Sequence, residues 1–126
     1  MQSFKPFDRF VCHNDTRTVE VDGLTIVATI YEDTDTHPED FECYTESDIR
    51  AWKDGDWCYV GVVLSVYAGE TLLVDHAASL WGIDCNYPSG NNAHLSEVAN
   101  DMLPDALEQG KSVAIRLRDS LQSVAA

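Results

Sequence analysis

The chain has 126 residues, of which 44% are hydrophobic and 10% aromatic, and its 22 acidic and 8 basic residues give a net charge of −14. This apolar content is typical of one folded domain, residues 1–126, and argues against global disorder, while the charge disfavours direct contact with nucleic acid or an anionic membrane. No apolar run reaches the ~18 residues of a membrane span and the N-terminus has no apolar signal core, so we expect a cytoplasmic protein.

The first 31 residues predict a β-hairpin. A run with alternating apolar residues at 17–21 and a β-rich run at 24–31 flank Asp22-Gly23, a pair that favours a tight turn because both positions accept positive φ. The segment 7–13 is predicted to be a further strand.

An acidic segment follows the hairpin. Residues 31–56 carry ten carboxylates and two cations, which is more than half of the net negative charge in about a fifth of the chain. Residues 32–44 have no hydrophobic period and are interrupted by Pro38, so they are predicted to form an acidic loop.

A short helix is predicted at the end of this segment. Thr45 or Ser47 can cap its N-terminus, and Asp48 stands three residues after Thr45, as in a capping box. Ile49 and Trp52 are expected to face the core.

The second half predicts two long strands and a helical region. Residues 57–68 are apolar on both faces, which is typical of a central strand, and 71–84 return as its antiparallel partner. Apolar residues recur with a helical period over 95–107, Gly110 is predicted to cap that helix, and the tail 111–126 fits a strand or, slightly better, a helix. The predicted class is α+β, an antiparallel sheet of about four strands with C-terminal helices packed on one face.

The four cysteines are predicted to be free thiols, because no C-x-x-C pair occurs and the cytoplasm is reducing. They are Cys12, Cys43, Cys58 and Cys85. The acidic loop contains His37 but lacks the glycine and glutamate positions of an EF-hand. The sequence therefore predicts neither a metal nor another cofactor.

No catalytic arrangement is visible, so the protein is predicted not to be an enzyme. Asp75 and His76 are neighbours on a predicted strand and are expected to face opposite sides, and there is no nucleophile elbow, catalytic-cysteine motif or phosphate loop. Trp57 and Trp81 are assigned to the core, since base stacking would require a basic groove.

The acidic segment has two explanations, a surface that keeps the protein dispersed and a surface for a partner. Carboxylates spaced along a loop and a short helix can imitate the phosphates of a nucleic acid and meet rows of Arg and Lys, in a contact that added salt weakens. The predicted contact residues are Glu32, Asp33, Asp35, Glu39, Asp40, Glu42, Glu46 and Asp48, with Asp54 and Asp56 behind them.

The stretches WKDGDWCYVGVVLSV, ASLWGIDCN and EVANDMLPDAL resemble small acidic proteins of unknown function that phages and plasmids encode, with W-x-x-V-G-V and S-L-W-G-I segments. The likeness covers about residues 50–110. It implies a mobile-element origin and, by analogy, an anti-defence role such as an anti-CRISPR protein or a restriction inhibitor. The predicted function is a non-enzymatic inhibitor that binds a basic, nucleic-acid-handling host protein by DNA mimicry in the host cytoplasm.

The alternative is a protein that binds or sequesters a small ligand such as a nucleotide. Its site would lie at a subunit interface, which leaves a homodimer open. The expected lining residues are Tyr87, His94 and the clustered cations Lys111, Arg116 and Arg118.

Overall fold

The computed structural model describes residues 2–125. Its elements are β1 (Thr16–Val21), β2 (Leu24–Glu32), a 3-10 turn (Pro38–Asp40), α1 (Glu46–Lys53), β3 (Cys58–Ala68), β4 (Thr71–Cys85) and α2 (Ala93–Ala125). The strands form one open antiparallel sheet in the order β1-β2-β3-β4, and α2 packs against it. The predicted α+β class is confirmed, with one long helix at the C-terminus.

The first hairpin is built as the sequence indicates. Asp22 and Gly23 have φ angles of 54° and 81°, and Val21 pairs with Leu24 across the turn. An Asp-Gly pair tolerates this conformation because aspartate enters the left-handed region more readily than most residues and glycine has no Cβ.

The segment 7–13 is not a strand, and that prediction was wrong. Its backbone groups bond to amide side chains of distant elements in place of a neighbouring strand. The Val11 N–H donates to Asn86 Oδ1 at 2.8 Å, and just before the segment the Phe4 N–H donates to Asn100 Oδ1 at 2.7 Å. The N-terminal segment therefore packs as an irregular strap, and both Phe4 and Val11 are buried.

The core lies between α2 and the face of the sheet that it covers, called here the helix face. Its central members are Ile26, Ala28 and Ile30 of β2, Val62, Leu64 and Val66 of β3, and Leu95, Ala99, Leu103 and Ala106 of α2. The helical stripe predicted over 95–107 is thus confirmed. β3 is the inner strand between β2 and β4, as its apolar composition indicated.

Gly110 does not cap a helix, and that prediction was wrong. α2 runs through it to Ala125, which confirms the helical choice for the tail. A Cβ added at Gly110 would lie 2.5 Å from Val66 Cγ1, so glycine serves here for close approach of the helix to the sheet. None of the helices in residues 2–125 has both the length and the apolar character needed to cross a membrane.

α1 begins with the predicted capping box. The Asp48 N–H donates to Thr45 Oγ1 at 3.1 Å, and the Thr45 N–H donates to Asp48 Oδ2 at 3.0 Å. Thr45 is therefore the cap and Ser47 is not. Ile49 and Trp52 are half-buried and do not reach the main core.

Candidate functional site

The acidic segment crosses one end of the sheet on the side away from α2, and an aromatic cluster holds it there. This cluster consists of Phe41, Tyr44, Trp57, Tyr59 and Tyr87. The ring centroids of Tyr44 and Trp57 are 5.2 Å apart, those of Trp57 and Tyr87 5.1 Å, and those of Phe41 and Tyr59 6.2 Å. Trp57 and Tyr59 are almost fully buried. The loop before α1 is therefore packed down by its own aromatic residues.

Two further contacts fix the segment. The His37 ring meets the edge of Trp52 with centroids 5.2 Å apart, which joins the 3-10 turn to α1. The Trp57 indole N–H donates to the Asp48 carbonyl at 2.9 Å, which joins α1 to the start of β3. The charged side chains of the segment thus project from an ordered backbone.

Asp33 has a structural role in this arrangement. Its carboxylate accepts hydrogen bonds from the Thr36 hydroxyl at 2.8 Å and from the N–H groups of Asp35 and Gly82 at 2.9 Å and 2.8 Å. Partial burial raises the pKa of Asp33, but these hydrogen bonds outweigh it and hold the pKa below its ordinary value. Asp33 therefore ties the acidic loop to β4.

Asp48 is also committed to the fold. The Thr45 N–H and, after it, the Tyr87 hydroxyl hydrogen-bond to its carboxylate and lower its pKa. The same contact with Asp48 raises the pKa of Tyr87 to about 12. Tyr87 accordingly belongs to the support of α1.

The other eight predicted contact carboxylates are exposed. They are Glu32, Asp35, Glu39, Asp40, Glu42, Glu46, Asp54 and Asp56, called here the acidic surface. Lys53 Nζ lies 3.3 Å from Glu39 and offsets part of its charge. The structure thus divides the predicted set into two carboxylates that build the segment and eight that are available to a partner.

Two shallow clefts flank the loop 32–36. One, of about 460 Å³, lies between the loop and Trp81 of β4, and the other, of about 440 Å³, lies between the loop and Trp52, Cys58 and Tyr59. Glu32 and Asp33 line both clefts. A cationic side chain of a partner could therefore enter on either side of the loop.

Trp81 is not a core residue, so its assignment to the core was wrong. It is 46% exposed, and its ring lies on Gly61 of β3, where an added Cβ would overlap the indole. Tyr31 is its neighbour on this outer face, with centroids 6.4 Å apart. Trp57, in contrast, is 1% exposed as expected.

Asp75 and His76 do not face opposite sides as predicted. His76 has a φ of 54° in an irregular stretch of β4, and its Nδ1 lies 3.0 Å from Asp75 Oδ1. The Ser65 hydroxyl donates to the same Asp75 oxygen at 3.1 Å. The serine therefore bonds to the carboxylate and not to the imidazole, which is not the order that activates a serine nucleophile.

The residues of the alternative ligand site are spread along α2 and the loop before it. His94 Nε2 contacts the Asp84 carbonyl oxygen at 2.6 Å, whereas Lys111 Nζ bonds to Asp22 Oδ2 at 2.6 Å. Positions 94 and 111 are about 26 Å apart along a helix. One chain therefore does not bring the predicted lining residues together.

All four cysteines are free thiols, as expected, but two of them are neighbours. Cys58, the first residue of β3, pairs in register with Cys85, the last residue of β4. His13 Nε2 lies 3.9 Å from Cys58 Sγ. Within residues 2–125, no group of three His, Cys, Asp or Glu side chains is placed to hold a metal ion.

No family model, no curated protein and no solved structure matches this chain. The resemblance of residues 50–110 to phage and plasmid proteins therefore stays a prediction.

Proposed function

We propose that this protein is a non-enzymatic inhibitor that binds a basic, nucleic-acid-handling protein of its host through the acidic surface. A CRISPR effector complex or a restriction enzyme has the required chemistry, and the contact would be made in the host cytoplasm. The observation that carries the proposal is the display of eight exposed carboxylates on a segment held by the aromatic cluster and Asp33. An ordered array loses little conformational entropy on binding, in contrast to a flexible acidic tail.

The acidic surface matches what a nucleic-acid channel offers. Such channels carry rows of Arg and Lys that bind phosphates, and a carboxylate accepts the same paired hydrogen bonds from a guanidinium group. Complementary potentials accelerate association and make it sensitive to salt. A protein that occupies the channel excludes the nucleic acid by competition and needs no catalytic group.

Exposed aromatic rings beside the carboxylates support a contact surface over a role in solubility alone. Trp81, Phe41 and Tyr31 are 46%, 46% and 36% exposed, and Trp81 forms one wall of an acidic cleft. Interfaces concentrate their binding energy in such aromatic anchors inside a polar rim. A surface that only keeps a protein dispersed gains nothing from exposed rings.

The test compares two variants with equal loss of charge. The first carries amides at four positions of the acidic surface, Glu32→Gln, Asp35→Asn, Glu42→Gln and Glu46→Gln. The second carries amides at four exposed positions of α2, Glu97→Gln, Asp101→Asn, Asp105→Asn and Glu108→Gln. The net charge changes by the same amount in both variants. Any difference in affinity between them therefore reports the position of the charges and not their total.

Each protein is used to capture partners from host lysate at low and high salt, and affinity is then measured for the captured complex. We expect the acidic-surface variant to lose about tenfold or more in affinity, the α2 variant to bind like the natural protein, and added nucleic acid to compete. Equal binding by both variants, or binding that survives high salt, would exclude DNA mimicry.

A homodimer is a further part of the proposal, supported by the end of α2. Leu117, Leu121 and Val124 are exposed at helical spacing, and a groove of about 440 Å³ runs between this stretch and Leu73. Residues 111–126 carry three cations and one carboxylate, whereas the rest of the chain is strongly acidic. The acidic remainder of a second copy therefore has the charge that complements this basic stretch. Leu121→Asp is expected to shift the mass measured by light scattering to that of a monomer.

Small-ligand binding is the second candidate function, and one cavity favours it. A space of about 510 Å³ lies between the N-terminal segment, β1 and α2, with Val21, Leu103 and Leu107 in its wall. This volume suits a small molecule. Lys111 also lines it. A nucleotide that raises the Tm of the natural protein but not of Lys111→Gln would favour this function over inhibition.

A further inference from the structure

The geometry of Cys58 and Cys85 allows a disulfide without rearrangement of the sheet. The two residues are directly opposite each other in the antiparallel pairing of β3 and β4, and both thiols are free. Opposed residues in antiparallel strands have Cα atoms about 4.5–5.5 Å apart, and disulfides bridge Cα separations of about 4.4–6.8 Å. The strands therefore already hold the two Cα atoms at a separation that a disulfide can bridge.

A histidine from a third segment completes the group. His13 Nε2 is 3.9 Å from Cys58 Sγ, and the two residues after this histidine are bonded to Ile30 of β2. The Asn14 N–H donates to the Ile30 carbonyl at 2.7 Å, and the Ile30 N–H donates to the Asp15 carbonyl at 3.0 Å. The imidazole is thus placed beside Cys58 by the fold.

The surroundings of the two thiols differ in their effect on ionisation. A hydrogen bond from Cys85 and then the proximity of His13 lower the pKa of Cys58, against the opposing effects of burial and of Glu32 on β2. The same hydrogen bond and burial raise the pKa of Cys85, and Asp84 and Asp15 act in the same direction. Cys58 is therefore the sulfur that ionises first.

Solvent access to the two thiols follows the same order as their ionisation. Cys58 is half-buried and lines the cleft of about 440 Å³ beside the acidic loop, whereas Cys85 is 1% exposed. A reagent in solution therefore meets Cys58 before Cys85. Cys12 and Cys43 are exposed as well and serve as internal references for reactivity.

We propose that Cys58 and Cys85 form a thiol–disulfide exchange site for low-molecular-weight disulfides, with Cys58 as the attacking sulfur and Cys85 as the resolving sulfur. The Cys58 thiolate attacks one sulfur of the small disulfide, whose S–S bond breaks and releases one thiolate that takes up a proton from water. The Cys85 thiol then loses its proton, and its sulfur attacks Cys58, which releases the second small thiol. Two protein thiols are oxidised to one disulfide, and the small disulfide is reduced to two thiols.

The first step prepares the second. Once Cys58 is in a mixed disulfide it carries no negative charge, so its contribution to the raised pKa of Cys85 disappears. The carboxylates of Glu32 and Asp33 line the same cleft, and Lys53, which also lines it, is paired with Glu39, so the cleft repels anionic reagents. A cationic disulfide such as cystamine is therefore expected to react faster than the anionic glutathione disulfide.

The bridge can be detected directly. The natural protein is incubated with cystamine, alkylated, and cleaved without reduction after Glu70, which separates the peptides that carry Cys58 and Cys85. Mass spectrometry is expected to find these two peptides linked. Cys85→Ser is expected to accumulate cysteamine on Cys58, because the resolving sulfur is gone, while Cys43→Ser leaves the bridge unchanged. Cysteamine on Cys12 and Cys43 with no linked peptides in the natural protein would overturn the proposal.

A second measurement does not depend on a variant at the buried cysteine. The rate of Cys58 alkylation by iodoacetamide is followed against pH in the natural protein, in His13→Gln and in the control His37→Gln. The profile of the natural protein is expected to rise at a lower pH than that of an ordinary thiol. His13→Gln is expected to move it upwards and to slow the reaction at pH 7 by about three- to tenfold. Unchanged profiles in all three proteins would remove His13 from the site.

Discussion

The two faces of the sheet are built for different purposes. On the helix face, Ile30, Val62 and Leu64 are completely buried beneath α2. On the outer face, Tyr31 and Trp81 remain 36% and 46% exposed. Tyr31 is the residue after Ile30 in β2, and Trp81 lies in β4, the strand next to β3. Apolar burial stabilises a fold in proportion to the area removed from water. The helix face therefore supplies most of the stability, whereas the outer face buries Trp57 and Tyr59 at one end and keeps apolar surface free around Trp81.

The largest expected effect separates a buried leucine of the helix face from an exposed leucine at the edge of the same face, where Leu80 pairs with Val62. Leu64 of β3 is fully buried, and Leu80 of β4 is 50% exposed. We expect Leu64→Ala to lower the free energy of unfolding by about 2–5 kcal/mol, because a cavity is left behind, and Leu80→Ala to lower it by about 1 kcal/mol or less. Chemical denaturation measures both. Equal losses would show that Leu80 is covered in solution.

A smaller difference in stability loss is expected between alanine substitutions at two glycines, each of which lies against a side chain of another element. Gly110→Ala places a methyl group 2.5 Å from Val66 Cγ1 in the core, an overpacking that costs about 1–3 kcal/mol, of which the helix propensity of alanine offsets up to about 1 kcal/mol. Gly61→Ala displaces the ring of Trp81, which can move into solvent.

For Gly61→Ala we therefore expect a loss of about 1 kcal/mol or less, with a large shift of the Trp81 indole N–H resonance. Thermal unfolding and NMR spectra separate the two outcomes. A greater loss of stability in Gly61→Ala than in Gly110→Ala would mean that Trp81 is held as firmly as a core residue.

A further expected effect concerns Asp33 and depends on pH. Asp33→Asn removes a carboxylate that accepts three hydrogen bonds and should cost about 1–2 kcal/mol at pH 7, whereas Asp35→Asn at an exposed position should cost little. The folded-state pKa of Asp33 lies below its unfolded value of about 3.9. Its stabilisation is therefore present above that pH and is lost as the pH falls through the folded pKa. A gap between Asp33→Asn and the natural protein that does not narrow as the pH is lowered from 7 into the acid range would contradict this role.

Features set by neighbouring residues could be predicted from the sequence. The Asp22-Gly23 turn and the Thr45 capping box follow from side chains within three residues of one another, and the structure contains both. The apolar residues of the helical stripe over 95–107 also recur every three or four residues, so the stripe is visible in the sequence. Gly110 illustrates the limit, since its role depends on Val66, which is far away in the chain.

The cysteine pair shows why register could not be predicted. Ala68 pairs with Thr71 at the turn, and unbroken pairing from there would place Cys58 opposite Trp81. Irregularities along β3 and β4 shift the register by four residues and bring Cys85 to that position. A β-bulge depends on packing around both strands and has no reliable mark in the sequence.

The contacts of Asp33 and Trp81 were missed for the same reason. Asp33 of the acidic loop bonds to Gly82 of β4, and Trp81 of β4 lies on Gly61 of β3, and the sequence alone does not align either pair. The acidic residues themselves were visible as a charge excess. Which of them build the loop and which remain exposed depends on those contacts.

The order of the strands has a consequence for how the chain acquires its structure during synthesis. Each strand pairs with the next one in sequence, so the whole sheet can form while α2 is still being made. The N-terminal strap cannot dock at that stage, because Phe4 bonds to Asn100, 96 residues later. We therefore expect the N-terminal strap, which is synthesised first, to be the last segment to pack against the rest of the fold.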